Sequence, residues 1–347
     1  MRRTATAAVL ALALLWPATS WALPKGAKVQ NYEGGLSNAV DIAWVPGTSK
    51  IFFTQQGGKI GVIKGGRQLG RACRQLDVAS DGERGALGIA VHPRFKKNHY
   101  LYVYYTNASP LENRITRFTV RNNRCRDRNN IVTGIQSASG YHNGGQLDFV
   151  GRKLFVTTGE GHSPGEAQDT SNRLGKVLRY NANGSVPNGN PFGDSNPVWT
   201  YGHRNGFGLT HNPRNGRIYQ TENGPECDDE LNFIRKGRNY GWGAGYDCGD
   251  PVGPNPKAPM KRWTPTIVPT DPWWYFGKFK ALNDSLYMGE HNSSGRLHRF
   301  VMNNKGTRIR KDRIIYNANS SIVDVSKGPG GWLYFLTRST LFRIVKN

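Results

Sequence analysis

Residues 142–145 read HNGG and lie in a predicted turn that precedes a β-hairpin. The neutral imidazole of His142 can accept a proton from a hydroxyl group, and the two glycines let the backbone approach a ligand closely. The guanidinium of Arg204 can stabilise negative charge that develops in such a reaction. A histidine in a glycine-rich turn can also be purely structural, and His162 and His203 are alternative bases on chemistry alone.

A second set of candidate ligands lies in the acidic loop 222–230. The backbone carbonyls of Gly224 and Pro225 can turn towards a cation, and carboxylates follow at Asp228, Asp229 and Glu230. Calcium binds about six to eight oxygens and accepts this mixture of ligands, although the spacing is not that of an EF-hand. The alternative is an acidic turn that pairs with its neighbouring cations, Arg235, Lys236 and Arg238.

The chain begins MRRTATAAVLALALLWPATSWALP, in which two arginines precede an apolar run and a small-residue ending. This pattern predicts a secretory signal peptide at residues 1–22, with cleavage after Ala22. The run is too short for a permanent anchor, and no later stretch approaches the roughly 20 apolar residues of a membrane span. We therefore expect an exported protein, periplasmic or secreted, without a membrane span.

The chain is strongly basic, with 47 Lys and Arg residues against 24 Asp and Glu residues and a formal charge of +23. Such an excess favours contact with anionic cell-surface polymers such as lipopolysaccharide or acidic glycans. No helix-turn-helix, zinc-finger or RNA-binding motif indicates a specific nucleic-acid partner. The alternative is a solvated basic surface without a specific partner, because no Lys/Arg block is long enough to form a motif.

Four cysteines in an exported chain favour two disulfides over a metal site, since no CxxC spacing is present. Three connectivities are possible. We expect Cys73 to pair with Cys125 and Cys227 with Cys248, because each pair lies in neighbouring stretches of a repeat.

That repeat consists of short apolar strands separated by turns rich in Gly, Asn and Pro. Its apolar-aromatic second strands begin at Ile51, Val103, Leu154, Ile218, Leu286 and Leu333. The intervals between them are typical of propeller blades with loop insertions. The sequence therefore predicts an all-β protein with a single six-bladed β-propeller domain over residues 23–347. A two-sheet sandwich is the alternative, but it does not explain six recurrences.

In a propeller, the loops at one end of the central channel converge and form a pocket. Five loop motifs occur in chain order: GERGALG, HNGGQL, QDTSNRLGKVLR, YGHRNGFGL and ENGPECDDELN followed by GWG. Together they resemble those of the glucose/sorbosone dehydrogenase family, which includes soluble aldose dehydrogenases that use pyrroloquinoline quinone (PQQ) on a six-bladed propeller. The resemblance covers nearly all of residues 23–347.

The resemblance implies roles for individual residues. His142 matches the general base that takes the proton of the sugar's anomeric hydroxyl, after which hydride passes to the quinone and a lactone forms. Arg204 matches the arginine beside the reactive quinone carbonyl, and Asn205 lies next to it. Glu83 matches a Gln or Glu that lines the substrate side.

The resemblance also implies metal ligands. Gly224 and Pro225 match the backbone carbonyls that hold the active-site Ca²⁺, which polarises the cofactor. Asp229 and Glu230 match side chains that some members use for a second, structural calcium.

The sequence departs from the family pattern in the last two blades. Ser321 and Val323 stand where two arginines would grip the carboxylates of PQQ, and Glu290 and His291 stand where a lysine often appears. Neutral residues there remove charge-assisted pairs, and Glu290 would add repulsion. Compensating cations would have to come from elsewhere, with Lys278, Lys280, Arg296 and Lys327 as candidates.

Two hypotheses follow. In the first, the protein is a quinoprotein that uses PQQ and Ca²⁺ to oxidise an aldose or oligosaccharide and passes electrons to an external acceptor. In the second, it is a calcium-containing propeller that has lost the cofactor and binds glycans or anionic polymers.

Overall fold

The fold is an all-β ring of sheets, seen in a computed structural model that describes residues 22–347. Within that range, six antiparallel sheets form the blades, and the first strands of successive blades contact one another around a channel. The predicted six-bladed β-propeller is therefore confirmed. The signal peptide predicted at residues 1–22 lies outside the described residues, apart from Ala22.

In each of the first three blades, the strands follow one another from the channel outwards. Blade 1 contains Ala39–Trp44, Lys50–Gln55, Lys59–Lys64 and Arg67–Gln68. A further strand, Arg74–Gln75, also pairs with Lys59–Lys64. Blade 2 contains Ala86–Val91, Tyr100–Asn107, Glu112–Arg121 and Arg124–Ile135. Blade 3 contains Leu147–Val150, Lys153–Thr158, Lys176–Asn181 and Val198–Tyr201.

The last three blades follow the same order. Blade 4 contains Gly206–His211, Ile218–Glu222, Asp229–Ile234 and Lys261–Trp263. Blade 5 contains Trp273–Tyr275, Ser285–Gly289, Arg296–Met302 and Ile309–Asn317. Blade 6 contains Ile322–Lys327, Leu333–Thr337 and Leu341–Lys346, and the N-terminal strand Ala27–Glu33 completes it.

The second strands of the blades match the predicted repeat and are almost wholly buried. Each blade packs both faces against its neighbours, so aromatic and β-branched residues occupy both sides of these strands. Helical segments among the described residues are short: Phe95–Asn98 is α-helical, and Pro164–Ala167, Lys280–Leu282 and Pro329–Gly331 are 3₁₀. No helix among them has the length and apolarity needed to cross a membrane.

Both expected disulfides are confirmed. Cys73 pairs with Cys125 and joins blade 1 to the outer strand of blade 2, with a Cα–Cα distance of 5.0 Å. Cys227 pairs with Cys248 and closes part of the long connection within blade 4. Both bonds therefore link stretches that the repeat places side by side.

Three buried aspartates meet on the axis of the channel. Carboxylate oxygens of Asp41, Asp271 and Asp324 lie within 4.8 Å of one another. Two cavities, of about 840 and 1110 Å³, open towards opposite strand ends and share Asp41 and Asp271 as lining residues. Burial, followed by repulsion from a neighbouring aspartate, raises the pKa of each carboxyl well above its ordinary value of 3.8.

These raised pKa values make the fold less stable as the pH rises. The folded chain keeps protons that the unfolded chain releases above about pH 4, so stability falls from there up to the folded-state pKa values. We predict that Asp271→Asn relieves part of this loss. Calorimetry with a chelator present gives the melting temperature of Asp271→Asn minus that of wild type. We expect this difference to be higher at pH 8 than at pH 5 by on the order of 2 °C.

The control for this measurement is Asp194→Asn, because Asp194 is exposed. Its melting temperature relative to wild type should not change between the two pH values. A pH-independent difference for Asp271→Asn would contradict the assignment of proton uptake to the three aspartates.

Candidate functional site

The cavity of about 840 Å³ opens at the end of the channel where the loops before the first strands meet the loops after the second strands. Its wall draws residues from all parts of the ring, including Gln56, Glu83, Gly144, Asn205, Asn223, His291, Val323 and Arg338. Two predicted site residues, Glu83 and Asn205, therefore line it directly.

A carboxylate joins the loops of three blades at this mouth. Glu83 Oε2 accepts hydrogen bonds from the backbone N–H of His142 at 2.8 Å and from Asn205 Nδ2 at 3.0 Å. Asn205 Oδ1 in turn accepts from the backbone N–H of Gly144 at 3.2 Å. The structure thus brings together residues that are about 60 positions apart in the chain.

The ring of His142 is oriented by a buried carboxylate. Its Nδ1 is hydrogen-bonded to Glu160 Oε1, so an Nδ1 proton points to the carboxylate and Nε2 is left as the basic nitrogen. The backbone of His142 has a φ of 54°, a left-handed conformation that non-glycine residues rarely adopt and that is common at functional sites. The geometry is that of a positioned proton acceptor.

Glu160 was not found by sequence reasoning, although a local signal exists. Strand Leu147–Val150 pairs with Lys153–Thr158, so residues just before the first strand lie beside residues just after the second. In blade 3 these are His142 and Glu160. Applied to each blade, the same rule would also have pointed to Arg338, which directly follows Leu333–Thr337 and lines the cavity.

The alternative bases have other environments. His203 is completely buried, with Nε2 bonded to Thr200 Oγ1 at 2.9 Å and Nδ1 to Glu222 at 2.8 Å, so neither nitrogen is available to a substrate. His162 is exposed and packs its ring edge-on against His142 at 4.2 Å between centroids. Among the three histidines, His142 has the arrangement suited to general base catalysis.

Arg204 lies in a smaller cavity of about 250 Å³, which shares Asn223 with the larger one. Its Nη1 donates to the carbonyl of Asn223 at 2.9 Å, and its guanidinium lies 5.3 Å from the ring centre of Trp242. Burial lowers the pKa of Arg204, and the carboxylates of Glu160 and Glu222 oppose that effect. Gly224, Pro225 and Glu230 line the same cavity.

The acidic loop is braced by its own carboxylates. Asp229 accepts from the backbone N–H of Gly224 at 2.8 Å and from those of Ile267 and Val268 at 2.6 Å each, and burial raises its pKa. Burial and the facing Glu222 raise the pKa of Glu230 to about 8. Asp229 thereby fixes the turn at Gly224, while the raised pKa of Glu230 means that its neutral form is favoured at neutral pH.

These groups fit calcium and a quinone with carboxylate groups. Carbonyl and carboxylate oxygens on one cavity wall are the donor set that Ca²⁺ prefers. Arg204 Nε, Trp242 Nε1 and Glu160 Oε2 are buried without hydrogen-bond partners among the described residues, which indicates a ligand with polar groups nearby.

The substituted positions of blades 5 and 6 differ in what they face. Ser321 donates to the carbonyl of Asn292 at 3.2 Å, whereas Val323 lines the cavity of about 840 Å³. Glu290 is buried and bonded to His298 at 2.8 Å, so it does not line the cavity and the expected repulsion is not seen. Of the proposed compensating cations, Lys327 lines the cavity at the opposite end of the channel.

Comparison with known proteins agrees with this geometry. An uncharacterized protein of Synechocystis is 30% identical over 344 residues, covering 87% of this chain and 82% of its own length. The aldose sugar dehydrogenase of Escherichia coli is 27% identical, with 94% of each chain covered. The PQQ-bound aldose sugar dehydrogenase of Streptomyces coelicolor superposes with a TM-score of 0.80 at 26% identity, covering 92% of this chain and 98% of that one. The model of the glucose/sorbosone dehydrogenase family matches residues 36–346, and this chain belongs to that family.

Proposed function

We propose that this protein oxidises aldose sugars to lactones in a reaction that depends on PQQ and Ca²⁺. The observation that carries the proposal is the pairing of His142 Nδ1 with Glu160 beside a cavity lined by Glu83 and Asn205. The family supports a sugar dehydrogenase activity, and the named relatives from E. coli and S. coelicolor support an aldose substrate.

In this proposal His142 removes the proton of the anomeric hydroxyl at Nε2. Glu160 holds the imidazole in the required tautomer and stabilises the positive charge that the ring gains. Glu83 fixes the backbone of His142 and the side chain of Asn205, so the base keeps its position when the sugar enters.

The remaining site residues stabilise negative charge or bind the cation. Arg204 stabilises negative charge that develops on the acceptor side, and its stacking on Trp242 restricts its position. The carbonyls of Gly224 and Pro225 would hold the active-site Ca²⁺, with Asp229 and Glu230 as ligands or supports of a further calcium. When bound, PQQ supplies the two-electron acceptor that no side chain provides.

We further propose an exported location, periplasmic or secreted, and an external electron acceptor that reoxidises the loaded protein. The single domain over residues 23–347 would be the working unit. The basic composition favours contact with anionic cell-surface polymers.

A second candidate function rests on Val323. Its apolar side chain lines the cavity where the family pattern has an arginine, which favours a calcium-containing propeller that binds glycans or anionic polymers without a cofactor. An absorbance titration of the purified protein with PQQ and Ca²⁺ at micromolar concentrations distinguishes the two. Lack of PQQ binding by the wild type would rule out the quinoprotein.

The first catalytic prediction concerns the base. We expect His142→Ala, reconstituted with PQQ and Ca²⁺, to lose dye-linked aldose oxidation by about 10²- to 10⁴-fold, because the imidazole that Glu160 orients as the proton acceptor is removed. The titration should show unchanged PQQ affinity.

The matched control is His211→Ala, since His211 Nδ1 also pairs with a carboxylate, Asp148, at 2.6 Å. His211 ends the first strand of blade 4, and we expect its substitution to leave turnover unchanged. Equal losses in the two variants would contradict a specific role for His142.

The second catalytic prediction concerns the residue that orients the base. We expect Glu160→Gln to lower kcat at least about tenfold while the Kd for PQQ changes little, because the amide no longer selects the tautomer or stabilises the charged imidazole. Stopped-flow reduction of the loaded protein by glucose measures the step directly. An unchanged reduction rate would show that Glu160 is only a packing residue.

A further inference from the structure

Arg338 is a cation that sequence reasoning did not place in the cavity. It follows the second strand of blade 6, and its half-buried side chain lines the cavity that Glu83 and Asn205 also line. Val323, from the neighbouring strand of the same blade, lines the same wall. The charge that the wall lacks at position 323 is thus present at position 338.

The guanidinium of Arg338 is held by neutral groups. Its Nε and Nη2 face His291 Nε2 at 3.2 and 3.1 Å, and Nη1 donates to Asn38 Oδ1 and, at 3.4 Å, to Gln56 Oε1. Burial, followed by the nearby Arg338 charge, lowers the pKa of His291, which keeps that imidazole a neutral acceptor. Among the described residues, no carboxylate lies within ion-pair distance of Arg338.

A half-buried charge without a counter-ion is costly unless a ligand neutralises it. Among the described residues that line this cavity, Arg338 carries the one permanent positive charge, because Arg204 lies in the smaller cavity. The wall also contains three acidic side chains, Asp41, Glu83 and Asp271, and none of them supplies positive charge. An anionic group that enters this cavity therefore has its favourable position at Arg338.

We propose that Arg338, held by His291, binds a carboxylate of PQQ and replaces the family's arginines, for which Ser321 and Val323 are substituted. The inference rests on the proposed function of the same cavity. The guanidinium has five N–H groups, and its neighbours engage four of them, so one N–H on Nη2 is left to donate a charge-assisted hydrogen bond to a carboxylate.

The test is a titration of the calcium-loaded protein with PQQ, followed by tryptophan fluorescence. We expect Arg338→Gln to raise the Kd for PQQ at least tenfold and to flatten its dependence on salt, and Arg338→Lys to fall between Gln and wild type. Arg343→Gln is the matched control, because Arg343 lies on the ring of Tyr32 with its Nε bonded to Gln30 and does not line the cavity. Its Kd should stay within twofold of wild type, and melting temperatures establish that all variants fold.

The outcomes separate this inference from the proposed function. Tight PQQ binding by wild type and Arg338→Gln alike would overturn the inference and leave the proposed function intact. If wild type binds no PQQ, the proposed function fails, and titration with trimesate, an aromatic tricarboxylate, decides the subsite. Saturable trimesate binding that Arg338→Gln weakens would retain an anion subsite, whereas no trimesate binding would overturn it.

Discussion

The narrow axis of the propeller is the constraint on which the rest of the structure depends. Six first strands converge there, and a Cβ added to Gly88 would lie 2.1 Å from the carbonyl oxygen of Gly145. Such close backbone approach leaves room for few side chains, and the aspartates at 41, 271 and 324 are among those that meet at the centre. They divide the channel into two cavities. The depth of the candidate site is therefore set by the packing of the ring, while its chemistry is set by the loops above the axis.

The loops that lead into blades 3 and 4 each contain a histidine hydrogen-bonded to a carboxylate, but the two histidines differ in their surroundings. His203 is buried, stacks on Tyr240 and shares Glu222 with the backbone N–H of Arg204, so this pair fixes the arginine. His142 has only one ring nitrogen hydrogen-bonded to the protein, and its backbone N–H is bonded to Glu83, which lines the cavity. What separates a structural histidine from one that can accept a proton is thus the number of ring nitrogens that the protein itself occupies, and the residue type alone does not reveal this number.

The sequence predicted the features that depend on local pattern. The repeat located the second strand of every blade, and the disulfides followed because their partners lie in adjacent stretches of that repeat. The family motifs located Glu83, His142 and Asn205, which the structure joins in one network. Glu160 and Arg338 belong to no motif, and only their positions directly after the second strands of blades 3 and 6 indicate that they lie near the channel. Glu290 illustrates the converse: its position suggested repulsion of a ligand, but side-chain direction within the blade turns it to His298.

The ring closes through its two termini, because Ala27–Glu33 pairs with Leu341–Lys346 in blade 6. The strand Ala27–Glu33 therefore cannot pair until Leu341–Lys346 has been synthesised. Contacts between such distant segments slow folding, because most of the chain must be ordered before they form. Because this pairing is late, the chain remains unfolded for longer after synthesis, which is compatible with the exported location proposed above.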